Sequence, residues 1–199
     1  MSEPWVEALE AGAPDVVAAW RGIEEGESLS VRREVRRRAG PGSTAGLVLQ
    51  LATMADALTA MVEMLPEAAL RAPGGEGDWN VAQCLGHTCE SRVGLCLAAS
   101  LAASGRWPAD APSVIQGIPG AADADRETLL RKISQSQRIV ERAARSVAGH
   151  EADPCPLEHP QVGRLRCGEW LLFAGVHDLM HLDQLHALVD PGDPGMSLT

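Results

Sequence analysis

The sequence predicts an all-α protein, a four-helix bundle with a long crossover between its second and third helices and a short helical N-terminal extension. Apolar residues recur every three or four positions over several helix-length stretches, which is the period of a buried helix face. The 199 residues are 45% hydrophobic but only 3% aromatic, and this composition suits helices better than sheets. Segments rich in proline and glycine separate the helical stretches.

Residues 1–42 are predicted to form the N-terminal extension. Two short amphipathic segments, Trp5–Leu9 and Val16–Ile23, precede an arginine-rich run, Val31–Arg38. This run holds five of the 17 basic residues. We interpret it as a solvated helix face, with a contact to a partner as the alternative. The turn residues Gly40, Pro41 and Gly42 end the extension.

The first bundle helix begins after Ser43 and ends before Pro66, because proline cannot continue a helix. Its inward stripe advances by alternating steps of four and three residues and consists of Leu47, Leu51, Met54, Leu58, Met61 and Leu65. Residues 43–190 are predicted to form the bundle domain and residues 191–199 a C-terminal tail.

The second bundle helix begins at Asn80 and extends to about Ser104. Asn80 is a favourable N-cap, and Gln83 stands three positions later, where its side chain can complete a capping box. The following segment, residues 105–125, contains three prolines and has neither a helical nor a strand period. A crossover of this length can span on the order of 60 Å, which is enough to return along the preceding helix. The second and third helices can therefore run parallel.

The third helix follows an acidic cap at Asp123 or Asp125. The next segment, residues 150–166, contains three prolines and is predicted to be a loop. The fourth helix spans about residues 167–189 and is stopped by the run Asp190-Pro191-Gly192. Four amphipathic helices with capped starts and breaker residues at their ends indicate a four-helix bundle.

The fourth helix carries two histidines, His177 and His181, inside an apolar run. Residues i and i+4 lie one turn apart on the same face of a helix, so both imidazoles can bind one metal ion. A third ligand must then come from another helix. The inward stripe of the second helix passes through His87 or Thr88, about two turns after the capped start, and His87 is the candidate for that ligand.

Three neutral imidazoles suit Zn²⁺, Ni²⁺, Fe²⁺ or Co²⁺ and leave a position for water or substrate, which is typical of a catalytic site. The alternative is that each histidine is simply a satisfied core or surface residue. That interpretation applies to the remaining histidines, His150, His159 and His186. Cys84 is a further candidate ligand, although a small buried thiol is the alternative for this position.

Three more residues are candidates for contacts around the metal or with the substrate. Gln184 lies one turn after His181 and can orient a metal ligand or bound water. Ser91 and Glu90 lie about one turn after His87, and a solvated helix position is the alternative for Glu90. An acid or base role for Glu90 or Ser91 is a further hypothesis, and the catalytic residues are otherwise not identified.

Two segments resemble the DinB/YfiT-like superfamily of metalloenzymes. The segment Trp79–His87 resembles the family element W-S/T-x-x-E/Q-x-x-x-H, and Trp170–Gln184 resembles the family's closing helix with its core H-D/E-x-x-H-x-x-Q. The resemblance covers about residues 44–190. Two positions differ from the family pattern, because Asn80 replaces the usual Ser or Thr and Cys167 stands where a Thr cap is common.

The resemblance implies an up-down-down-up bundle and a homodimer, with a divalent metal, nickel or zinc, held by His87, His177 and His181. Relatives include S-transferases that use mycothiol or bacillithiol, maleylpyruvate isomerase and some hydrolases. We therefore expect a thiol-dependent S-transferase or isomerase that acts on a small electrophilic substrate. The alternatives are a metal-dependent hydrolase and a non-enzymatic dimeric protein that binds a metal or a small ligand.

Several other functions are disfavoured. A formal net charge of -10 disfavours nucleic-acid binding. Five cysteines without a CxxC pair, an N-terminus without a secretory pattern and no long uninterrupted apolar run favour a cytoplasmic protein that does not act at a membrane. The segment His177–His181 lacks the glutamate base of zinc proteases. Di-iron bundles require a Glu-x-x-His pair on each of two helices, and the sequence has none.

Overall fold

The computed structural model describes residues 4–24, 27–111, 114–115 and 117–189. Within these ranges the chain forms seven α-helices and one small sheet and is 66% helical. The elements are α1 (Pro4–Glu10), α2 (Pro14–Arg21), α3 (Ser28–Arg38), α4 (Thr44–Met64), α5 (Val81–Ala103), α6 (Arg126–Val147), β1 (Pro154–His159), β2 (Gly163–Arg166) and α7 (Cys167–Val189). The predicted tail, residues 191–199, and the stop signal at residues 190–192 lie outside the described residues.

The capping signals in the sequence set the starts of two long helices. The predicted capping box of α5 is confirmed. The backbone N–H of Gln83 donates to Asn80 Oδ1 at 2.8 Å, and the backbone N–H of Asn80 donates to Gln83 Oε1 at 3.0 Å. Of the two candidate caps for α6, Asp125 is the one used, since its Oδ1 accepts from the Thr128 amide at 2.8 Å. Each cap satisfies amide groups that lack an intrahelical partner.

The core lies between the four long helices. Helices α4 and α5 each pack against both α6 and α7. In the part of the chain that the structure describes, α4 is the helix long and apolar enough to cross a membrane. Its predicted inward stripe is buried, however, with Leu51, Met54 and Leu58 fully enclosed. This burial is typical of a core helix in a folded domain.

A β-hairpin occupies part of the segment that the sequence predicts to be a loop. The structure therefore adds a small two-stranded sheet to the predicted all-α fold. Strands β1 and β2 pair antiparallel, with Pro154 opposite Arg166 and His159 opposite Gly163. Cys155 faces inward between two prolines. Proline is tolerated in an edge strand, where its missing N–H costs no ladder bond, but it hides the strand pattern in the sequence.

The N-terminal helices contact two of the long helices, α4 and α7. Helix α2 packs against α7 at Gly175, where an added Cβ would come within 2.8 Å of Val16 Cγ2. Helix α3 contains the arginine-rich run. Glu34 is buried among its arginines, while the half-exposed Arg36 donates to the buried carboxylate of Glu169 on α7 at 2.9 Å. These contacts join the extension to the helix that carries two of the predicted ligands.

Candidate metal centre

The structure brings together the three histidines that the sequence proposes as ligands. His87 comes from α5, and His177 and His181 come from consecutive turns of α7. One ring nitrogen from each residue lies within 4.8 Å of those of the other two. The ring centroids of His177 and His181 are 4.6 Å apart, and each lies 5.2 Å from that of His87. Three imidazoles on two packed helices therefore converge on one point.

Burial keeps two of these imidazoles neutral. The pKa of His177 lies well below its ordinary value of 6.5, first because of burial and then because of the neighbouring His181 and His87. The pKa of His181 is also lowered, with burial as the main cause. Metal ions bind the neutral imidazole through its free lone pair. These two imidazoles are thus in the protonation state that metal binding requires at neutral pH.

Hydrogen bonds select the tautomers of two histidines. His87 Nδ1 lies 2.8 Å from the carbonyl oxygen of Ile118, which can only accept, so Nδ1 carries the proton. His181 Nδ1 lies 3.0 Å from Gln184 Oε1 and is protonated for the same reason. In both rings the lone pair is left on Nε2. Outer partners of this kind orient the histidines of metal sites.

The third histidine has an unused polar atom. Nδ1 of His177 is buried and has no hydrogen-bond partner among the described residues. A buried ring nitrogen without a partner costs free energy, and a metal ion bound to His177 would offset that cost if Nδ1 were the ligating atom. The donor set, the tautomers and this orphaned nitrogen together fit a divalent metal.

The other predicted site residues fall into two groups. Ser91 Oγ lies 3.3 Å from His87 Nε2, and Gln184 accepts from His181, so both border the cluster. Glu90 does not join it, because its carboxylate is paired with Lys132 at 2.6 Å on an exposed surface. Cys84 lies 3.5 Å from His181 Nδ1, the protonated nitrogen, and burial raises the pKa of its thiol to about 12. Its sulfur is not part of the set of donor atoms that lie within 4.8 Å of one another, which favours a small buried thiol over a fourth ligand.

Aromatic side chains surround the histidines. The ring centroid of Trp79 lies 4.9 Å from that of His87, and the Phe173 centroid lies 6.4 Å from that of His177. His159, at the end of β1, packs edge-on against Phe173 at 5.5 Å. The prediction that this half-buried histidine is a satisfied residue agrees with its contacts, because its Nδ1 accepts from the Gln161 backbone N–H at 3.2 Å. Aromatic rings therefore lie beside two of the three histidines.

A buried charge pair, which we call the clasp, joins all four long helices close to the cluster. Arg92 on α5 donates to the carboxylate of Asp178 on α7, and neither side chain is exposed. The Arg92 guanidinium also donates to the Leu51 carbonyl on α4 at 3.0 Å and to Gln137 Oε1 on α6 at 2.6 Å. Burial raises the pKa of Asp178 to about 7, although Arg92 opposes this shift.

Sequence reasoning missed both the clasp and the Ile118 carbonyl. For the clasp a signal existed, because Arg92 is the one Arg or Lys of α5 and Asp178 interrupts the apolar run of α7. A buried charge requires a partner, so their pairing was open to prediction. The Ile118 contact involves a backbone atom in an irregular segment, and no side-chain pattern indicates it.

Comparison with known proteins gives one family match. A family model described as the DinB superfamily matches residues 50–185, which is more than half of the chain. The match includes all three histidines and the clasp. No curated protein and no solved structure matches the chain significantly.

Proposed function

The chain belongs to the DinB superfamily, and from this membership we propose that it is a divalent-metal-dependent S-transferase or isomerase that uses a low-molecular-weight thiol. The observation that carries the proposal is the convergence of His87, His177 and His181 within 4.8 Å. Nickel and zinc are the proposed metals, because neutral imidazoles suit both ions. Mycothiol and bacillithiol are the proposed thiols.

The proposed fold is the up-down-down-up four-helix bundle of the superfamily. Two observations support it. Helices α4 and α5 each pack against both α6 and α7, as expected of helices at opposite corners of a bundle. The segment between α5 and α6 is also long enough for these two helices to run parallel.

The residues of the chain have distinct roles in this proposal. His87, His177 and His181 hold the metal, while the Ile118 carbonyl and Gln184 fix the tautomers of two of these ligands. A divalent metal in such a site lowers the pKa of a thiol or water molecule that shares it and so supplies a nucleophile at neutral pH. The Ser91 hydroxyl, next to His87 Nε2, donates a hydrogen bond to the thiol or the electrophile.

The arrangement of carboxylates favours the thiol reaction over hydrolysis. Two acidic side chains close in sequence to the histidines are both paired, Glu90 with Lys132 and Asp178 with Arg92. General-base hydrolysis needs a free base within hydrogen-bonding distance of the attacking water. A thiol activated by the metal needs no such base. Epoxides, halides and activated double bonds are the electrophiles that this chemistry suits.

A non-enzymatic metal-binding or small-ligand-binding protein is the second candidate. The same observation supports it, because neither Glu90 nor Asp178 is free to act as an acid or base. The two candidates differ in one measurable respect. Only the enzyme turns over an electrophile when a thiol and the metal are both present.

Elemental analysis tests the metal site. We expect the purified protein to contain about one nickel or zinc ion per chain and the double variant His177→Ala with His181→Ala to contain almost none. The control is His150→Ala, which removes an exposed histidine that pairs with Asp153 and should leave the metal content unchanged. Equal metal content in all three proteins would refute the site.

A thiol screen tests the reaction. The metal-loaded protein is incubated with mycothiol or bacillithiol and a panel of epoxides, halides and activated alkenes, and with maleylpyruvate for the isomerase. We expect product only when thiol and metal are both present. Metal binding without turnover with any thiol would favour the non-enzymatic candidate.

Sedimentation velocity tests the proposed homodimer, and fractionation of cells that produce the protein tests the proposed cytoplasmic location.

A further inference from the structure

The segment of residues 117–124, which we call the docked segment, lies against α5 beside the metal centre. Its Ile118 carbonyl accepts from His87 Nδ1 at 2.8 Å, so the segment supplies the group that sets the tautomer of one proposed ligand. The Ile118 side chain is 61% exposed. The contribution of this residue to the centre is therefore its backbone oxygen.

Two glycines bring the docked segment to this distance from the helix. The Gly120 amide donates to the Gln83 carbonyl of α5 at 3.0 Å. A Cβ added to Gly120 would lie 2.6 Å from Gly86 Cα and 2.9 Å from the Gln83 carbonyl oxygen. A Cβ added to Gly86 would lie 3.0 Å from Gly120 Cα. Backbone packs on backbone here, and no side chain fits between the two segments.

The contact between the glycines lies next to the ligand. Gly86 immediately precedes His87 on α5, and Gly120 follows Ile118 by two residues, with Pro119 between them. Because proline restricts the backbone between these residues, a displacement of Gly120 is transmitted to the Ile118 carbonyl. Further anchors lie farther along the chain, where the Arg71 guanidinium donates to the carbonyls of residues 122, 123 and 124 and Asn80 Nδ2 donates to that of residue 122.

We propose that Gly120, seated on Gly86, is a positioning residue for the metal centre: it holds the Ile118 carbonyl on His87 and thereby sets the affinity for a divalent metal. This inference rests on the proposed metal-binding function. Its converse follows from linkage. If docking of the segment strengthens metal binding, then metal binding stabilises the docked segment to the same extent.

Three glycine-to-alanine variants test the inference in graded steps. The Cβ added in Gly120→Ala would lie 2.6 Å from the backbone of α5, and the Cβ added in Gly86→Ala would lie 3.0 Å from the backbone of the docked segment. The matched control is Gly117→Ala in the same segment, whose added Cβ would have no heavy atom within 4 Å. Zn²⁺ affinity is measured by competition with a chromophoric chelator. We expect a loss of about ten- to hundredfold in Gly120→Ala, as is typical when an outer partner of a metal ligand is removed. The loss should be smaller in Gly86→Ala and absent in Gly117→Ala.

Two further readouts separate positioning from general destabilisation. The absorption spectrum of the Co²⁺-loaded protein reports the ligand arrangement and should change in Gly120→Ala but not in Gly117→Ala. Hydrogen exchange in peptides covering residues 117–124 should slow when Zn²⁺ is added to the wild-type protein and should slow less in Gly120→Ala. If Gly120→Ala does not fold, the milder Gly86→Ala provides the same comparison.

The outcomes distinguish this inference from the proposed function. If the wild-type protein binds Zn²⁺ and both Gly120→Ala and Gly86→Ala bind it with the same affinity and Co²⁺ spectrum, the positioning role is refuted and the metal site stands. If the wild-type protein binds none of Zn²⁺, Ni²⁺ and Co²⁺, the proposed metal-binding function is refuted and the inference falls with it.

Discussion

The clasp between Arg92 and Asp178 leads to a quantitative prediction about stability. Neither side chain is exposed, and Arg92 also donates to the Leu51 carbonyl and to Gln137. The substitution Arg92→Met keeps the length of the side chain but removes the charge and its hydrogen bonds. It leaves the buried Asp178 side chain without its cationic partner, so that this group must stay charged in the core or take up a proton. The double variant, Arg92→Met with Asp178→Leu, removes both charges.

The expected magnitudes differ strongly between the two variants. Removing one partner of a buried pair costs about 3–5 kcal/mol, whereas replacing both partners with apolar residues is often neutral. The double variant still loses the hydrogen bonds to Leu51 and Gln137, at about 1 kcal/mol each. We therefore expect the double variant to be about 1–3 kcal/mol more stable than Arg92→Met. A domain of this size has a total stability of about 5–15 kcal/mol, so the single substitution removes a large part of it.

Urea unfolding followed by circular dichroism measures these differences. The experiment is done with EDTA present, because bound metal would add to the stability of the native state. The variant Asp178→Leu completes the thermodynamic cycle and isolates the energy of the pair. The assignment of the clasp would be wrong if Arg92→Met cost less than about 1 kcal/mol, or if the double variant were no more stable than the single one.

Three further predictions concern acid stability, helix capping and metal removal. Bonding to Arg38 and Arg33 lowers the pKa of Glu34 from 4.5 to about 2, so its stabilising contribution is present above pH 4.5 and is lost as the pH falls toward 2. The difference in melting temperature between wild type and Glu34→Gln should therefore shrink over that range, and a constant difference would contradict this cause. The substitution Asn80→Ala breaks the capping box of α5 and should cost about 1 kcal/mol in urea unfolding, while Ser43→Ala, at an N-cap whose side chain makes no capping hydrogen bond, should cost less. Chelation of the metal should lower the melting temperature of the wild type but not that of the His177→Ala, His181→Ala variant, because only the native site gains stability from the ion; an equal decrease in both would contradict binding at these histidines.

Much of the helical framework could be predicted because its determinants are local. The stripe on α4, the capping box at Asn80 and Gln83, and the proline-rich ends of the helices each act over a few residues. The hairpin at residues 154–166 could not be predicted, because Pro154 and Pro156 interrupt its strand pattern. The choice of Asp125 rather than Asp123 as the cap of α6 also depended on the backbone conformation of the preceding segment.

The candidate site divides in the same way. His177 and His181 share a helix face because they stand four residues apart, and this follows from helix geometry alone. The partners that orient the ligands depend on distant contacts. The Ile118 carbonyl reaches His87 across 31 positions, and Arg92 reaches Asp178 across 86 positions. The spacing of residues along the sequence cannot specify these two contacts, since they depend on how the crossover and the helices pack.

The sequence by itself determined the helical class, the helix starts at their caps and the histidine pair on one face of α7. Only the tertiary structure decided that His87 meets this pair, that the Ile118 carbonyl selects its tautomer and that Glu90 is turned away toward Lys132. The physical reason is the range of the interactions. Hydrogen bonds within one turn and the period of a helix are encoded in neighbouring residues, whereas the convergence of ligands from two helices is set by the packing of the whole core.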